Sequence, residues 1–116
     1  MTIINDIIDI SEVDVSARVN KIFIQIDPVL KSYVPQFLKA LNLDIIRIAG
    51  YLNGEEFEEI RAIAHRLKGE GGTYGFDEAG KLGALIQTAA INRNAVEIDH
   101  LVSRLSNYLK QIEIVE

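Results

Sequence analysis

The stretch AHRLKGEGGTYGF, residues 64–76, is the most informative part of the chain. On an α-helix, which turns by about 100° per residue, the apolar residues around it cluster in one direction: Ile60, Ile63, Ala64 and Leu67. His65 then points roughly 150° away from the centre of that cluster. A lone histidine in a helix is more often a hydrogen-bonded core residue, but this helical phase predicts that His65 faces solvent.

The neighbours of His65 on the predicted outer face are two cations and two glycines. By helical spacing they are Arg61, Lys68, Gly69 and Gly72. A glycine inside a helix costs about 1 kcal/mol relative to alanine, so two on one face need a reason. Either the helix ends in this glycine-rich stretch, or the glycines clear space for another protein's backbone to approach the imidazole. The spacing leaves both interpretations open.

An exposed histidine with a lysine one turn away suggests phosphoryl chemistry. A neutral imidazole is a competent nucleophile near pH 7. A nearby cation favours the neutral ring by like-charge repulsion and also attracts an incoming phosphoryl group. Lys68 is placed to do both. A lysine near the carboxyl end of a helix is also typical of a solvated residue that complements the helix dipole.

The motif resembles the signature of histidine-containing phosphotransfer (HPt) domains of multistep two-component relays. The resemblance rests on Ala64-His65-Arg66-Leu67-Lys68-Gly69, followed by Gly72 and Gly75-Phe76. It implies a four-helix bundle in which His65 accepts a phosphoryl group and Lys68 assists. It also implies that a receiver domain docks over the glycines, so we expect partner contacts at Arg61, Gly69, Gly72 and Gly75.

Three positions depart from the pattern that is common in this family. Glu70 stands where many members have serine, Ala79 where many have leucine, and Gln87 where many have glutamate. Some members have a glutamine 22 residues after the histidine, as here, and it hydrogen-bonds near the ring. In adjacent antiparallel helices, Gln87 and His65 would lie at nearly the same height, about 15 Å and about 12 Å from the ends of their helices. We therefore expect Gln87 either to orient His65 or to be a solvated surface amide.

Away from this motif, the apolar spacing predicts an all-α protein, an antiparallel bundle of four helices joined by short loops. Asp27-Pro28 is a good helix start, with aspartate as the N-cap and proline at the first helical position. Pro35 then either begins a second helix or kinks the first. The remaining helices are expected over residues 55–73, from an N-cap at Asp77 to about residue 91, and over 95–112. Residues 27–116 are thus predicted to form the bundle domain.

Residues 1–26 are expected to be an extension packed on the bundle. Its isoleucines give two signals, helical spacing at Ile3, Ile4, Ile7 and Ile8 and strand-like alternation at Ile22, Ile24 and Ile26. The rest of the sequence offers no evident partner for a lone strand. A helical or irregular conformation is therefore favoured for this extension.

Composition excludes several classes of function. The chain has 116 residues, enough for one domain, and no cysteine, which excludes disulfides, thiolate metal sites and cysteine nucleophiles. Its formal net charge of -5 weighs against binding to nucleic acids or anionic membranes. The longest uncharged run, residues 82–92, is too short to span a membrane, and residues 1–10 lack a basic leader. We expect a cytoplasmic monomer, free-standing rather than part of a larger sensor.

The predicted function is to carry a phosphoryl group between receiver-domain aspartates. The sequence contains no evident carboxylate cluster for Mg²⁺, so the metal is expected to arrive with the receiver, and no cofactor, nucleotide site or autokinase activity is expected. The glycine cluster matches neither phosphate-binding loop pattern, because position 74 is tyrosine. His100 is expected to be an ordinary surface residue. The alternative is a non-transferring helical adaptor that docks receivers or other helices through the same face.

Overall fold

The computed structural model describes residues 21–115, and four helices make up most of this part of the chain. In chain order the elements are β1 (Ile22–Gln25), a 3₁₀-helix (Pro28–Tyr33), α1 (Val34–Asn53), α2 (Phe57–Thr73), α3 (Asp77–Ile91), α4 (Ala95–Gln111) and β2 (Ile112–Val115). The helical spacing predicted from Ile3 to Ile8 lies outside the described residues. The domain boundary at residue 27 stays a prediction.

The chain enters the bundle through two successive helices. The Asp27 carboxylate accepts a hydrogen bond from Val29 N at 3.0 Å and caps the 3₁₀-helix, as the Asp27-Pro28 pair predicts. Pro35 lies in the first turn of α1, where its missing N–H breaks no helical hydrogen bond. Pro35 therefore begins a second helix and does not kink the first.

The later helices follow their predicted ranges to within two residues. α2 begins at Phe57 rather than at Glu55. Asp77 is the first residue of α3 and not its N-cap, so that detail of the prediction is wrong. The amino end of α4 is capped by Asn94, whose side chain accepts a hydrogen bond from Glu97 N at 3.1 Å.

α2 continues through most of the glycine-rich stretch and ends at Thr73. Gly75 has a φ of +91°, a left-handed conformation that glycine adopts without a steric penalty. The turn that it makes brings Phe76 into the core, where its side chain is 0% exposed. The end of the helix therefore accounts for Gly75, whereas Gly69 and Gly72 lie inside the helix.

α1 and α2 run antiparallel, and all four helices contribute to one aliphatic core. Near the start of α1, Phe37 contacts the ring of Tyr74, which follows α2, with centroids 5.1 Å apart. Further along α1, Asp44 binds Arg66 in the middle of α2, so these two helices run in opposite directions. The most deeply buried aliphatic side chains are Leu41, Ile48, Ile60, Leu67, Leu82, Ile86, Ile98, Leu101 and Leu105. The predicted four-helix bundle is confirmed.

The prediction of a helical or irregular extension is wrong for residues 22–25, because Ile22–Gln25 forms strand β1. β1 pairs in parallel with β2, and Ile22 lies opposite Ile112. The partner strand is the end of the described chain, which the apolar pattern assigned to the last helix because Ile112 continues its buried face. α4 instead ends at Gln111, and Ile112 takes an extended backbone with ψ of 146°.

The two faces of the strand pair have different environments. Ile24 lies opposite Ile114, and both side chains pack against the core of the bundle. Phe23 points the other way and is 63% exposed. The alternation of isoleucines in β1 thus reports a strand with one buried face, as strand periodicity requires.

Candidate functional site

His65 lies in the middle of α2, and its side chain is exposed to solvent. Ala64 and Leu67, on the inner face of the same turns, are 0% and 1% exposed. The structure therefore places His65 on the solvent side, as its helical phase predicts. The ring is open to a visiting molecule and is not part of the core.

Gln87 reaches the ring of His65 from the adjacent helix α3. Its side-chain nitrogen Nε2 lies 3.2 Å from His65 Nδ1, within hydrogen-bond distance. The similar heights expected in antiparallel helices are therefore observed. Of the two interpretations open for Gln87, the contact favours an amide that orients the ring. With Nδ1 engaged by Gln87, Nε2 is the ring nitrogen left for other chemistry.

Lys68 lies one helical turn after His65 and is exposed. Together with Gly72 and Lys81 it lines a shallow depression between α2 and α3. No carboxylate within residues 21–115 forms an ion pair with Lys68. Within that part of the chain, no ion pair would have to break for its ammonium group to meet an anionic group that approaches His65.

The glycines around His65 differ in what surrounds them. A Cβ atom built on Gly69 or Gly72 would meet nothing within 4 Å, so neither residue is required for packing within the described chain. They leave a strip of bare backbone beside the imidazole. Gly75 is different, since its Cβ would lie 3.5 Å from Ile26 Cδ1 and its positive φ makes the turn after α2. A contact of Gly75 with a partner stays a prediction.

Arg61, one turn before His65, is already engaged within α2. Its Nε and Nη2 atoms lie 2.8 Å and 2.5 Å from Glu58 Oε2. This hydrogen bond and the attraction between the charges raise the pKa of Arg61, and the hydrogen bond lowers the pKa of Glu58 against the opposing effect of desolvation. A partner that uses Arg61 would have to share it with Glu58.

The residue after His65 joins α2 to α1 through a charge pair that the sequence reasoning missed. Arg66 donates to both carboxylate oxygens of Asp44, at 2.9 Å and 3.2 Å, and also lies 3.4 Å from Glu70. The hydrogen bond with Asp44 raises the pKa of Arg66 against the effect of partial burial. The Glu70 carboxylate is thereby turned toward Arg66.

A signal for Asp44 is present in the sequence. Phe37, Leu41 and Ile48 are spaced at one-turn intervals around it, which places position 44 on the inner face of α1. The carboxylate is accordingly only 2% exposed. A charged residue on an apolar face predicts a buried partner, because an unpaired buried charge is costly.

The described residues contain neither a membrane-spanning helix nor a cluster of metal ligands. No helix between residues 21 and 115 is long and apolar enough to cross a bilayer. Within the same residues, no group of three or more histidine, aspartate and glutamate side chains has the arrangement of a metal site.

The comparison with protein families identifies the chain. The model of the Hpt domain family matches residues 30–113, which is most of the sequence. The chain belongs to the Hpt domain family. No curated protein and no solved structure matches it. The matched region of this Hpt domain begins in the 3₁₀-helix and ends in β2, so it contains His65, Lys68 and Gln87.

Membership of the family establishes the general activity. Hpt domains are helical bundles that carry phosphoryl groups in two-component signalling and interact with receiver domains. They are carriers of the group and not classical enzymes. The bundle, the exposed histidine and the neighbouring lysine of this chain agree with that activity.

Proposed function

We propose that this Hpt domain relays a phosphoryl group from the aspartate of one receiver domain to that of another, with His65 as the acceptor. The observation that carries the proposal is the exposed ring of His65 in a matched Hpt sequence, with Nδ1 held by Gln87 at 3.2 Å. Bare backbone at Gly69 and Gly72 leaves room for the receiver.

In the forward step, the lone pair on His65 Nε2 attacks the phosphorus of the receiver's aspartyl phosphate. The N–P bond forms as the bond between phosphorus and the carboxylate oxygen breaks, and the aspartate leaves as a carboxylate. This step requires the ring proton on Nδ1. A 180° turn of the Gln87 amide exchanges its Nε2 and Oε1 atoms, and Oε1 then accepts a hydrogen bond from the protonated Nδ1. Gln87 would then stabilise the ring as it takes on positive charge.

Lys68 contributes electrostatic stabilisation. Phosphoryl transfer places negative charge on the oxygens of the transferred group, and a fixed cation beside it lowers the barrier. Lys68 is one turn from His65 and has no ion-pair partner among the described residues. In the return step, the carboxylate of a second receiver attacks phosphorus and the N–P bond breaks, which restores the neutral ring.

The receiver supplies the remaining chemistry in this proposal. Mg²⁺ comes with the receiver and neutralises charge on the phosphoryl oxygens when it is bound there. The Hpt domain itself uses no nucleotide and does not phosphorylate itself. We place it in the cytoplasm as a monomer that meets receivers of response regulators or hybrid histidine kinases.

The experiment is phosphoryl transfer from a panel of purified, phosphorylated receivers, followed by phosphorus NMR. We expect an acid-labile, alkali-stable label on the wild-type chain and none on His65→Gln. His100→Gln is the control, because His100 is the other exposed helical histidine. A label on His65→Gln that equals the wild-type label would refute the assignment.

Lys68→Ala separates a phosphoryl carrier from a helical adaptor. For a carrier, this change slows transfer by more than it weakens binding of an unphosphorylated receiver, because the lost charge acts on the phosphoryl group. Rapid-quench kinetics and titration calorimetry measure the two effects. Equal losses of transfer and binding in Lys68→Ala would favour an adaptor, and so would receiver binding by a wild-type chain that takes no label.

A further inference from the structure

Gly83 of α3 rests directly against the turn of α2 that carries His65. A Cβ atom built on Gly83 would lie 2.8 Å from Lys68 N and 3.1 Å from Ala64 O. These atoms are the donor and acceptor of one helical hydrogen bond, because each N–H of an α-helix bonds the carbonyl four residues earlier. The two backbones therefore meet beside His65, and Leu67 Cγ, 3.1 Å from the same Cβ position, is the one side-chain atom among the three nearest.

Gln87 lies one turn after Gly83 and projects from the same side of α3. Its Nε2 atom is 3.2 Å from His65 Nδ1, at the long end of the range for a hydrogen bond. Separation of the two helices would lengthen this contact or force the side chains of Gln87 and His65 into new rotamers. Close backbone contact at position 83 therefore favours the observed geometry.

We propose that Gly83 is a positioning residue that sets the separation of α2 and α3 at which Gln87 holds the imidazole of His65. Its importance for transfer rests on the proposed function of His65 as phosphoryl acceptor. An alanine at position 83 must move its nearest neighbour from 2.8 Å to about 3.4 Å or more. That neighbour is a backbone atom, which cannot turn aside, so the helices have to separate.

Two other helical glycines supply a graded variant and a control. A Cβ on Gly80 would lie 3.2 Å from Lys68 O, so Gly80→Ala requires a smaller separation of the same two helices. Gly50 lies inside α1, and its Cβ would meet nothing within 4 Å. Gly50→Ala therefore makes the same chemical change without moving α3.

The test is NMR of the full chain labelled with ¹⁵N-histidine, which reads the two ring nitrogens of His65 without a phosphoryl donor. Gly83→Ala is expected to shift the Nδ1 resonance to its position in Gln87→Leu. Gly80→Ala should shift it part of the way, and Gly50→Ala should leave it unchanged. Adding Gly83→Ala to Gln87→Leu should cause no further shift, because the contact is already lost.

Two results would overturn the proposal. One is a wild-type Nδ1 resonance in Gly83→Ala, or, if that variant does not fold, in folded Gly80→Ala. The other is a full additional shift when Gly83→Ala is combined with Gln87→Leu, since Gly83 would then act on His65 by another route.

Labelling by a phosphorylated receiver distinguishes this proposal from the proposed function. Gly83→Ala is expected to slow labelling by the same factor as Gln87→Leu. If Nδ1 shifts as expected while the wild-type chain takes no label, Gly83 positions the ring and the phosphorelay function fails. If the wild-type chain is labelled and Gln87→Leu is slow, wild-type labelling of Gly83→Ala refutes the positioning role.

Discussion

His65 and His100 are both exposed on the sides of helices, yet their surroundings differ in the features that matter for phosphoryl transfer. An amide from the next helix lies 3.2 Å from His65 Nδ1, and Lys68 is one turn away. None of the hydrogen bonds within residues 21–115 reaches the ring of His100. The proposal of His65 as acceptor therefore rests on the neighbours that the bundle brings to the ring and not on exposure alone.

Gly69 allows docking and stability to be separated at a single residue. Gly69→Leu is expected to raise the free energy of unfolding by up to about 1 kcal/mol, because glycine is a poor helix former and a Cβ there meets nothing within 4 Å. The new side chain would stand beside His65 and weaken receiver binding by about tenfold or more, since it obstructs the approaching backbone. Thermal unfolding and titration with an unphosphorylated receiver measure the two effects.

Gly50→Leu is the matched control for Gly69→Leu. Gly50 also lies inside a helix, and its Cβ would also meet nothing within 4 Å. We expect a similar gain in stability and wild-type receiver binding. If the two leucine variants bind a receiver equally well, the receiver does not dock over Gly69.

The charge pair between α1 and α2 supports a prediction about how these elements are held together. Arg66→Met removes both hydrogen bonds to Asp44, which is 2% exposed, and leaves Arg47 at 3.7 Å as its remaining partner. Breaking a fully buried pair costs about 3–5 kcal/mol. Arg66 is 41% exposed, so we expect a smaller loss, about 2 kcal/mol in the free energy of unfolding measured with urea.

Glu70→Gln tests whether that loss comes from the buried end of the network. The contact of Arg66 with Glu70 is longer, at 3.4 Å, and the Glu70 side chain is 40% exposed. Removing it should cost less than about 0.5 kcal/mol, as is usual for exposed pairs. Equal losses in Arg66→Met and Glu70→Gln would contradict a stabilising role for the pair with Asp44.

The helices were predictable from the sequence to a degree that the strands were not. Each helix carries an apolar stripe along 15 to 20 residues, so its pattern is repeated several times. The strands have only four residues each, and each finds its partner at the opposite end of the described chain. Ile112 fits both the buried face of α4 and the alternation of β2. Only the pairing with Ile22 decides between them.

Features of the site that depend on one helix were predictable from the sequence. Features that depend on the packing of two helices were not. The phase of α2 is enough to expose His65. The glycines were ambiguous because the sequence did not show where α2 ends. α2 extends to Thr73, which places Gly71 on its inner face and Gly69 on its exposed face. A Cβ atom on Gly71 would lie 2.5 Å from Gly80 N, whereas one on Gly69 would meet nothing within 4 Å. The contact of Gly83 with α2 needs the packed bundle.

At the scale of the whole molecule, stability should fall at alkaline pH through Tyr108. This side chain is 4% exposed, and its hydroxyl has no hydrogen-bond partner within residues 21–115. Burial, with the negative charges of Glu78 and Asp77, raises the pKa of Tyr108 to about 12. Tyr108 ionises near pH 10 in the unfolded chain, so its contribution to the free energy of unfolding should be constant below that pH and fall between about pH 10 and pH 12.

Tyr108→Phe isolates this contribution from other alkaline titrations. Removing an unpartnered buried hydroxyl should leave stability at pH 7 unchanged or raise it by about 1 kcal/mol. The fall between pH 10 and pH 12 should be shallower than in the wild type. Urea unfolding at several pH values measures both, and parallel pH profiles for the two proteins would contradict the role of Tyr108.

The pairing of β1 with β2 joins the two ends of the described chain and predicts a second effect on the whole molecule. Ile24 and Ile114 lie opposite each other and pack against the core. Ile24→Ala is expected to lower the free energy of unfolding by about 1–2 kcal/mol. Truncating a partly buried isoleucine costs less than truncating a fully buried one. Phe23→Ala, at a position 63% exposed on the same strand, should change it by less than about 0.5 kcal/mol.

Hydrogen exchange distinguishes a local effect at β1 from coupling between the chain ends. In Ile24→Ala the amides of both strands should exchange faster, because each strand is the other's hydrogen-bonding partner. The amides of α2 should lose protection by no more than the loss in the global free energy of unfolding, since buried helical amides exchange when the whole bundle unfolds. The double variant Ile24→Ala, Ile114→Ala should lose less stability than the two single variants lose in sum, because the two side chains are neighbours across the strand pair. Fully additive losses, with exchange unchanged in β2, would mean that the strands stabilise the bundle separately.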